Sequence, residues 1–216
     1  DTKEAVLLDA IREYNAAGGV HGVIMQLPLP EHLGLEVVIQ ALDPRKDVEG
    51  LHPANLGLIV LRKTKLVPCT AQAVLTLIER SGVELFGKEA CVVGQSALVG
   101  RPVTLLLSER RVTTTICHTG TFKRGQLAGY VEKADIVVAA CGHPELILGN
   151  WIKPGSVVID VGTNMVNGKT IGDVEFAEAK KYASFITPVP GGVGPLTTTI
   201  LMQNVVTAFR WQQGEL

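Results

Sequence analysis

The chain has 216 residues, with 20 Lys and Arg against 21 Asp and Glu, a net charge of −1 and no basic run. That balance excludes a nucleic-acid footprint. Its 46% hydrophobic and 19% charged content fits a well-buried soluble α/β protein rather than a disordered one, and no apolar segment reaches the roughly 18 residues of a membrane span.

Apolar residues at Val6, Leu7, Ala10, Ile11 and Tyr14 predict a helix over Ala5 to Asn15, ended by Gly18-Gly19. No signal peptide is visible, and Asp1-Thr2-Lys3-Glu4 reads as the opening of a helix already under way, so the chain is expected to start inside a longer protein. Val20 to Gln26 reads as a short apolar strand running into Leu27-Pro28-Leu29-Pro30, which cannot continue a ladder. Gly34 to Leu42 is a second helix, stopped by Asp43-Pro44, and a polar loop follows from Arg45 to Pro53. Ala71 to Ser81 is helical, with Thr70 as its capping residue.

From there the pattern alternates. Strands are expected at Ala90 to Val93, Val112 to Cys117, Asp135 to Ala140, Ser156 to Val161 and Ser184 to Ile186. Helices are expected at Gly100 to Glu109, Gly125 to Glu132 and Phe176 to Tyr182, with a last one from Thr197 to Arg210. This alternation argues an α/β fold with a doubly wound parallel sheet over residues 70–196. Residues 1–69, with the last helix (197–216), would form a second, incomplete lobe. The four cysteines, Cys69, Cys91, Cys117 and Cys141, lack a CxxC pair and read as buried free thiols of a reducing cytoplasm.

Three places carry candidate chemistry. From Thr187 to Leu196, ten residues hold three prolines, three glycines and no charge. Such a loop is rigid and specially shaped; it reads either as a seat for a flat organic ligand or as a tight connector. Val93-Gly94-Gln95-Ser96-Ala97-Leu98-Val99-Gly100 is strand, glycine turn, helix, where a helix N-terminus attracts phosphate. Its glycine spacing is not G-x-G-x-x-G, so a plain βα turn stays open. The next strand ends in Cys117-His118-Thr119, with no acid for a ribose 2′-hydroxyl, so a 2′-phosphate would not be repelled; Arg101 and Arg124 are nearby in sequence. Finally, Gln26, Asp47, Glu49 and His52 could hold an amino-pyrimidine ring by paired hydrogen bonds. From spacing alone a solvated charge cluster is the better reading, and a metal site is rejected for want of ligand spacing.

Taken together, the motifs resemble the bifunctional methylenetetrahydrofolate dehydrogenase/cyclohydrolase family. The resemblance rests on Val20 to Pro30, Lys46 to Gly57, Pro68-Cys69-Thr70, Val93 to Ser96, Cys117-His118-Thr119, Ile159 to Asn164 and Pro188 to Thr197, in the family's order and over nearly the whole chain. It implies a Rossmann-like domain and two activities. One is NADP- or NAD-dependent oxidation of 5,10-methylenetetrahydrofolate; the other is hydrolysis of the methenyl product to 10-formyltetrahydrofolate. By resemblance, Gln26 supports the catalytic lysine, Glu49 holds the pterin, and Leu27, Pro28, Pro190, Gly191 and Gly192 complete the folate site. Thr70, Gly94, Gln95, Ser96, Val99, His118, Thr119, Gly142, Gly162, Thr163 and Thr197 line the cofactor site.

The resemblance further implies a cytoplasmic homodimer that feeds purine biosynthesis, with no membrane or nucleic-acid partner. Three departures stand out. No lysine in residues 1–69 has the family's Tyr-x-x-x-Lys context, Glu49 stands where the family has Asp, and Gln95 stands where it commonly has Arg or Lys, with Thr119 often Ser there. On the first ground these 216 residues are expected to have negligible cyclohydrolase and impaired dehydrogenase activity. The alternative is a catalytically silent relative that binds folate or dinucleotide, or only dimerises.

Overall fold

The structure is a computed structural model that describes residues 2–216. It divides into an N-terminal unit, Asp1–Cys69 with Thr199–Leu216, and a sheet unit, Thr70–Thr198.

In the N-terminal unit, α1 (Glu4–Ala16) and α2 (Leu35–Ala41) bury Ile11, Val38 and Leu42 against Leu7, Val23 and Leu29. The carboxyl end of α1 is closed by a residue distant in sequence. Lys46 is 5% exposed, and its ammonium donates to the carbonyls of Tyr14 (2.8 Å), Asn15 (2.8 Å) and Ala17 (2.9 Å). A cation there meets both the unpaired carbonyls and the negative end of the helix dipole. The expected strand at Val20 to Gln26 is not formed: it makes a single parallel bridge, Val23 to Asp47. A ladder needs a partner strand, and the prolines at 28 and 30 stop it from lengthening. The polar loop yields instead to α3 (Pro53–Val60), with Pro53 in the first turn and the His52 imidazole accepting from the Ala54 N–H at 3.0 Å. A second small core joins Val48 and Leu66 to Leu201, Val205 and Ala208 of α9 (Val193–Gln212). There the buried Asn204 amide donates to the carbonyls of Val48 (2.9 Å) and Val67 (3.0 Å).

The sheet unit opens with α4 (Cys69–Arg80), so Thr70 lies in the first helical turn rather than at its cap. Five parallel strands follow: β1 (Glu89–Val93), β2 (Thr113–Cys117), β3 (Ile136–Ala139), β4 (Val157–Asp160) and β7 (Phe185–Ile186), in the order β2-β1-β3-β4-β7. All of β3 and β4 is buried, as expected of strands covered on both faces. The connections run through α5 (Gly100–Glu109), α6 (Thr119–Lys123), α7 (Leu127–Val131) and α8 (Phe176–Ala179).

The helix expected over Gly125 to Glu132 is the shorter α7, and α6, which the sequence-based reading did not include, precedes it; Gly125, at φ +67°, separates the two. A hairpin of β5 (Asn164–Val166) and β6 (Lys169–Ile171), absent from the sequence-based reading, turns on Asn167-Gly168, both at positive φ. The last helix starts at Val193 rather than Thr197. It absorbs Gly194 and Pro195 of the expected loop, since proline in a first turn forfeits no helical hydrogen bond. Among the described residues no helix is long and apolar enough to cross a membrane.

Candidate functional site

Strand order reverses direction between β1 and β3, and in doubly wound sheets the crevice outside the carboxyl ends at that point takes the ligand. Gly94, which ends β1, shapes it. Its φ is +121°, and a Cβ there would collide with the Ala140 carbonyl at the end of β3. Gly100 is packed as tightly in return: a Cβ would run into the Gly94 carbonyl. These two glycines therefore let the turn approach both β3 and the first residues of α5, as a dinucleotide turn requires.

A cavity of about 460 Å³ lies over this turn, lined by Gly94, Gln95, Ser96, His118 and Thr119 and floored by apolar side chains such as Leu127 and Leu146. Cys141 and His143 line it too and bracket Gly142. His118 caps α6, its Nδ1 accepting from the Gly120 N–H at 3.1 Å. Ser96 Oγ accepts from the Val99 N–H at 3.1 Å, closing the turn before α5. Lys123, which sequence reading passed over, lines the cavity, whereas Arg101 and Arg124 do not. The available signal was helical spacing: Lys123 lies four residues after Thr119.

A buried pair of carboxylates holds the cavity wall. Asp173 is fully buried. Its Oδ2 accepts from the N–H groups of Cys141 (2.7 Å) and Gly142 (2.9 Å) and from the Cys141 thiol (3.2 Å). Its Oδ1 accepts from the His143 N–H (2.9 Å) and the Asn164 amide (2.8 Å). Asp160, 2% exposed at the end of β4, accepts from the N–H groups of Gly162 (2.9 Å), Asp173 (3.0 Å) and Val174 (2.9 Å). Asp160 lies in the Ile159 to Asn164 motif and Asp173 in none, and the pairing itself was not legible, because its partners are mostly backbone N–H groups brought together by the fold.

Burial pushes the Asp160 carboxyl up to about 6, against the opposing N–H bonds and with a smaller contribution from the Asp173 charge. Its folded value therefore lies above the ordinary 3.8, and between the two the folded chain keeps a proton that the unfolded chain has lost. The stability from this group is complete below about pH 4 and is lost as pH rises through about 6, at about 1.4 kcal/mol per pH unit. Asp43 beside Arg45 and Asp135 beside Lys153 are held below the ordinary range, so they act at lower pH and with the opposite sign. Urea unfolding at about pH 4.5 and about pH 6.5 should show the wild type losing about 2 kcal/mol more over that interval than Asp160→Asn. Equal losses would show that Asp160 does not titrate there.

A second cavity, about 300 Å³, adjoins the end of β4 and is lined by Gly162, Thr163, Pro188, Pro190, Gly191 and Gly192. Thr187 Oγ1 accepts from the Asp160 N–H at 2.8 Å and ties the start of this loop to the strand. The Leu27-Pro28 and Val189-Pro190 peptide bonds are cis. Thr70 on α4, Thr197 on α9 and Val99 before α5 line neither cavity.

In the N-terminal unit the expected solvated charge cluster is corrected. Asp47 is 3% exposed, and its Oδ2 accepts from the His52 N–H (2.7 Å) and from the buried Asn55 amide (2.9 Å). The acid is structural and fixes the loop that presents Glu49. Glu49 Oε2 accepts from the Met25 N–H at 2.9 Å, and burial raises its carboxyl above the usual range. Gln26, next to Met25, is exposed, and its amide reaches only the Leu27 carbonyl at 3.4 Å. The four cysteines are free thiols; burial pushes Cys69 up to about 11 and Cys141 up to about 12, which leaves both protonated at neutral pH.

A parallel sheet of this order, with a glycine turn at its switch point and a carboxylate-free crevice above it, defines a dinucleotide-binding protein of the doubly wound α/β class. Comparison with known proteins narrows this. Residues 68–213 match the tetrahydrofolate dehydrogenase/cyclohydrolase NAD(P)-binding domain, and residues 1–49 match the catalytic domain of the same family. Over 97% of its length the chain is 49% identical to bifunctional protein FolD 2 of Geobacter sulfurreducens, covering 73% of that protein. It is 47% identical to bifunctional protein FolD of Brevibacillus brevis over 98% of its length, covering 74% of that relative. Among solved structures it is similar to the Trypanosoma brucei methylenetetrahydrofolate dehydrogenase-cyclohydrolase complexed with NADP and inhibitor. There the TM-score is 0.93 at 39% identity, with 98% of this chain and 74% of that one covered. The chain belongs to the tetrahydrofolate dehydrogenase/cyclohydrolase family.

Proposed function

We propose that the chemistry this chain is built for is NAD(P)-dependent oxidation of 5,10-methylenetetrahydrofolate to the methenyl form and hydrolysis of that product to 10-formyltetrahydrofolate, with hydrolysis negligible and oxidation impaired in these 216 residues because no lysine in residues 1–69 has the family's Tyr-x-x-x-Lys context. The observation that carries this reading is the crevice at the β1–β3 switch point within a chain of this family. The donor set fits a dinucleotide: a turn with no room for a Cβ at Gly94 or Gly100, neutral hydrogen-bonding groups on Gln95, Ser96 and Thr119, and apolar walls for a flat base. When bound, the nicotinamide supplies the hydride acceptor. The protein's part is to position substrate and to exclude competing chemistry.

On this reading residues 70–196 form the cofactor domain, and residues 1–69 with 197–216 form the folate lobe. Gln26, Leu27, Pro28, Glu49 and Pro190-Gly191-Gly192 take the folate, with Gln26 supporting proton transfer. Gly94, Gln95, Ser96, His118 and Thr119 take the dinucleotide, together with Thr70, Val99, Gly142, Gly162, Thr163 and Thr197. Family membership supports the extension to a cytoplasmic homodimer supplying one-carbon units for purine biosynthesis.

Glu49 gives the sharpest test. One of its oxygens already accepts from the Met25 N–H, which leaves the other as an acceptor for the amino and ring N–H donors of a pterin. Glu49→Gln keeps the Met25 bond through its carbonyl but turns an N–H₂ toward those donors. Folate binding should weaken by about 10- to 100-fold, the equivalent of one charge-assisted bond of about 1.5–3 kcal/mol. Fluorescence titration with a folate analogue reads this directly, and unchanged affinity would remove Glu49 from the site. Methylenetetrahydrofolate-dependent reduction of NADP, followed by absorbance, tests the activity itself.

A further inference from the structure

The crevice has one positive side chain that the turn and the folate reading leave unused. Lys123 lines it, on the last turn of α6, and is the single Lys or Arg among its lining residues. We infer that Lys123 is the cation that recognises the 2′-phosphate on the adenosine half of NADP, which makes it the residue that sets cofactor choice in this chain. The inference rests on the dinucleotide reading of the crevice and goes beyond it in assigning specificity.

Four observations converge. First, position: α6 begins directly after β2, and dinucleotide folds meet the adenosine ribose at the carboxyl end of that strand, commonly with an acid for the 2′-hydroxyl. Here the strand ends in Cys117-His118-Thr119, and no Asp or Glu lines the cavity. The carboxylate behind its wall, Asp173, has both oxygens engaged by Cys141, Gly142, His143 and Asn164.

Second, geometry: Thr119 and Lys123 are four apart on α6, so hydroxyl and ammonium share one face of the helix. Third, availability: Lys123 is exposed and makes no ion pair with any described residue, so its charge is uncommitted. Fourth, competition: Gln95 is neutral, and neither Arg101 nor Arg124 lines the cavity. His118 adds a neutral donor, because its Nδ1 accepts from Gly120 and the ring proton then sits on Nε2. Phe122, Leu127 and Leu146 offer apolar surface for the adenine beside it. An ammonium on a flexible stem suits a phosphate as a point charge without a bidentate fork.

The test is calorimetric titration of the full chain at low ionic strength with adenosine 2′,5′-bisphosphate and with adenosine 5′-monophosphate. The wild type should bind the bisphosphate at least about tenfold more tightly. Lys123→Gln should lose about tenfold in bisphosphate affinity with monophosphate affinity unchanged, and Lys123→Arg should retain the preference. A Lys123→Gln chain with the wild-type preference would overturn the assignment while leaving the crevice reading intact. Failure of the wild type to bind either nucleotide would overturn the crevice reading, and the assignment with it.

Discussion

Asp173→Ala should lower the stability of the chain by about 4 kcal/mol or more. The substitution strands three backbone N–H groups and the Asn164 amide in a place from which water is excluded. Each orphaned donor costs about 1–3 kcal/mol, and partial relaxation keeps the sum from being fully additive. The donors belong to the segment Cys141-Gly142-His143, which forms one wall of the crevice, so NADP affinity should fall with stability. Asp173→Asn separates volume from acceptor capacity. It fills the same space and can accept on one side, but its N–H₂ faces donors on the other, so it should lie between wild type and alanine. Urea unfolding and fluorescence titration of NADP measure the two effects. A loss below about 1 kcal/mol in Asp173→Ala would mean that the loop has other support.

Gly94→Ala should be the most damaging single methyl group in the sheet unit. At φ +121° an L side chain is strained before any contact is considered, by about 1–3 kcal/mol. The added Cβ would also run into the Ala140 carbonyl, which is backbone of the adjacent strand and cannot rotate away. Relief requires β1 and β3 to separate at their carboxyl ends, where Ala140 N donates to the Val93 carbonyl at 2.8 Å. Overpacking adds about 1–3 kcal/mol, giving a total of about 2–6 kcal/mol, with dinucleotide binding reduced beyond detection. Thermal unfolding with and without NADP is the measurement. A variant that melts as the wild type does and is still stabilised by NADP would show that the turn tolerates a side chain.

Local signals in the chain were sufficient for much of the sheet unit. Apolar runs at Ala90 to Val93 and Asp135 to Ala140 are strands because each is buried on both faces, and burial on both faces leaves an unbroken hydrophobic run in the sequence. Short helices fared worse. His52-Pro53 opens α3 and Asn167-Gly168 turns a hairpin; each carries a recognisable start or turn residue, but neither element is long enough for its periodicity to stand out. Val20 to Gln26 looked like a strand by composition and is not one, since strand formation depends on a partner ladder that no local pattern encodes.

Ordered motifs along the chain are enough to place it in its family, and the glycine after the first strand of the sheet announces the turn there. Which charges are structural and which are available depends on contacts that form only in the folded chain. Lys46 and Asp47 belong to a polar loop in the sequence, but both are buried: Lys46 is bonded to carbonyls some thirty residues earlier, and Asp47 to His52 and to Asn55 of the following helix. Asp160 lies in the Ile159 to Asn164 motif but had no role assigned, Asp173 lies in no motif, and the two turn out to hold a cavity wall. Lys123 was one lysine among many until α6 placed it beside the crevice. The physical reason is common to all of them: a side chain's charge is written in the sequence, but its solvation and its partners are set by residues brought near only when the chain folds.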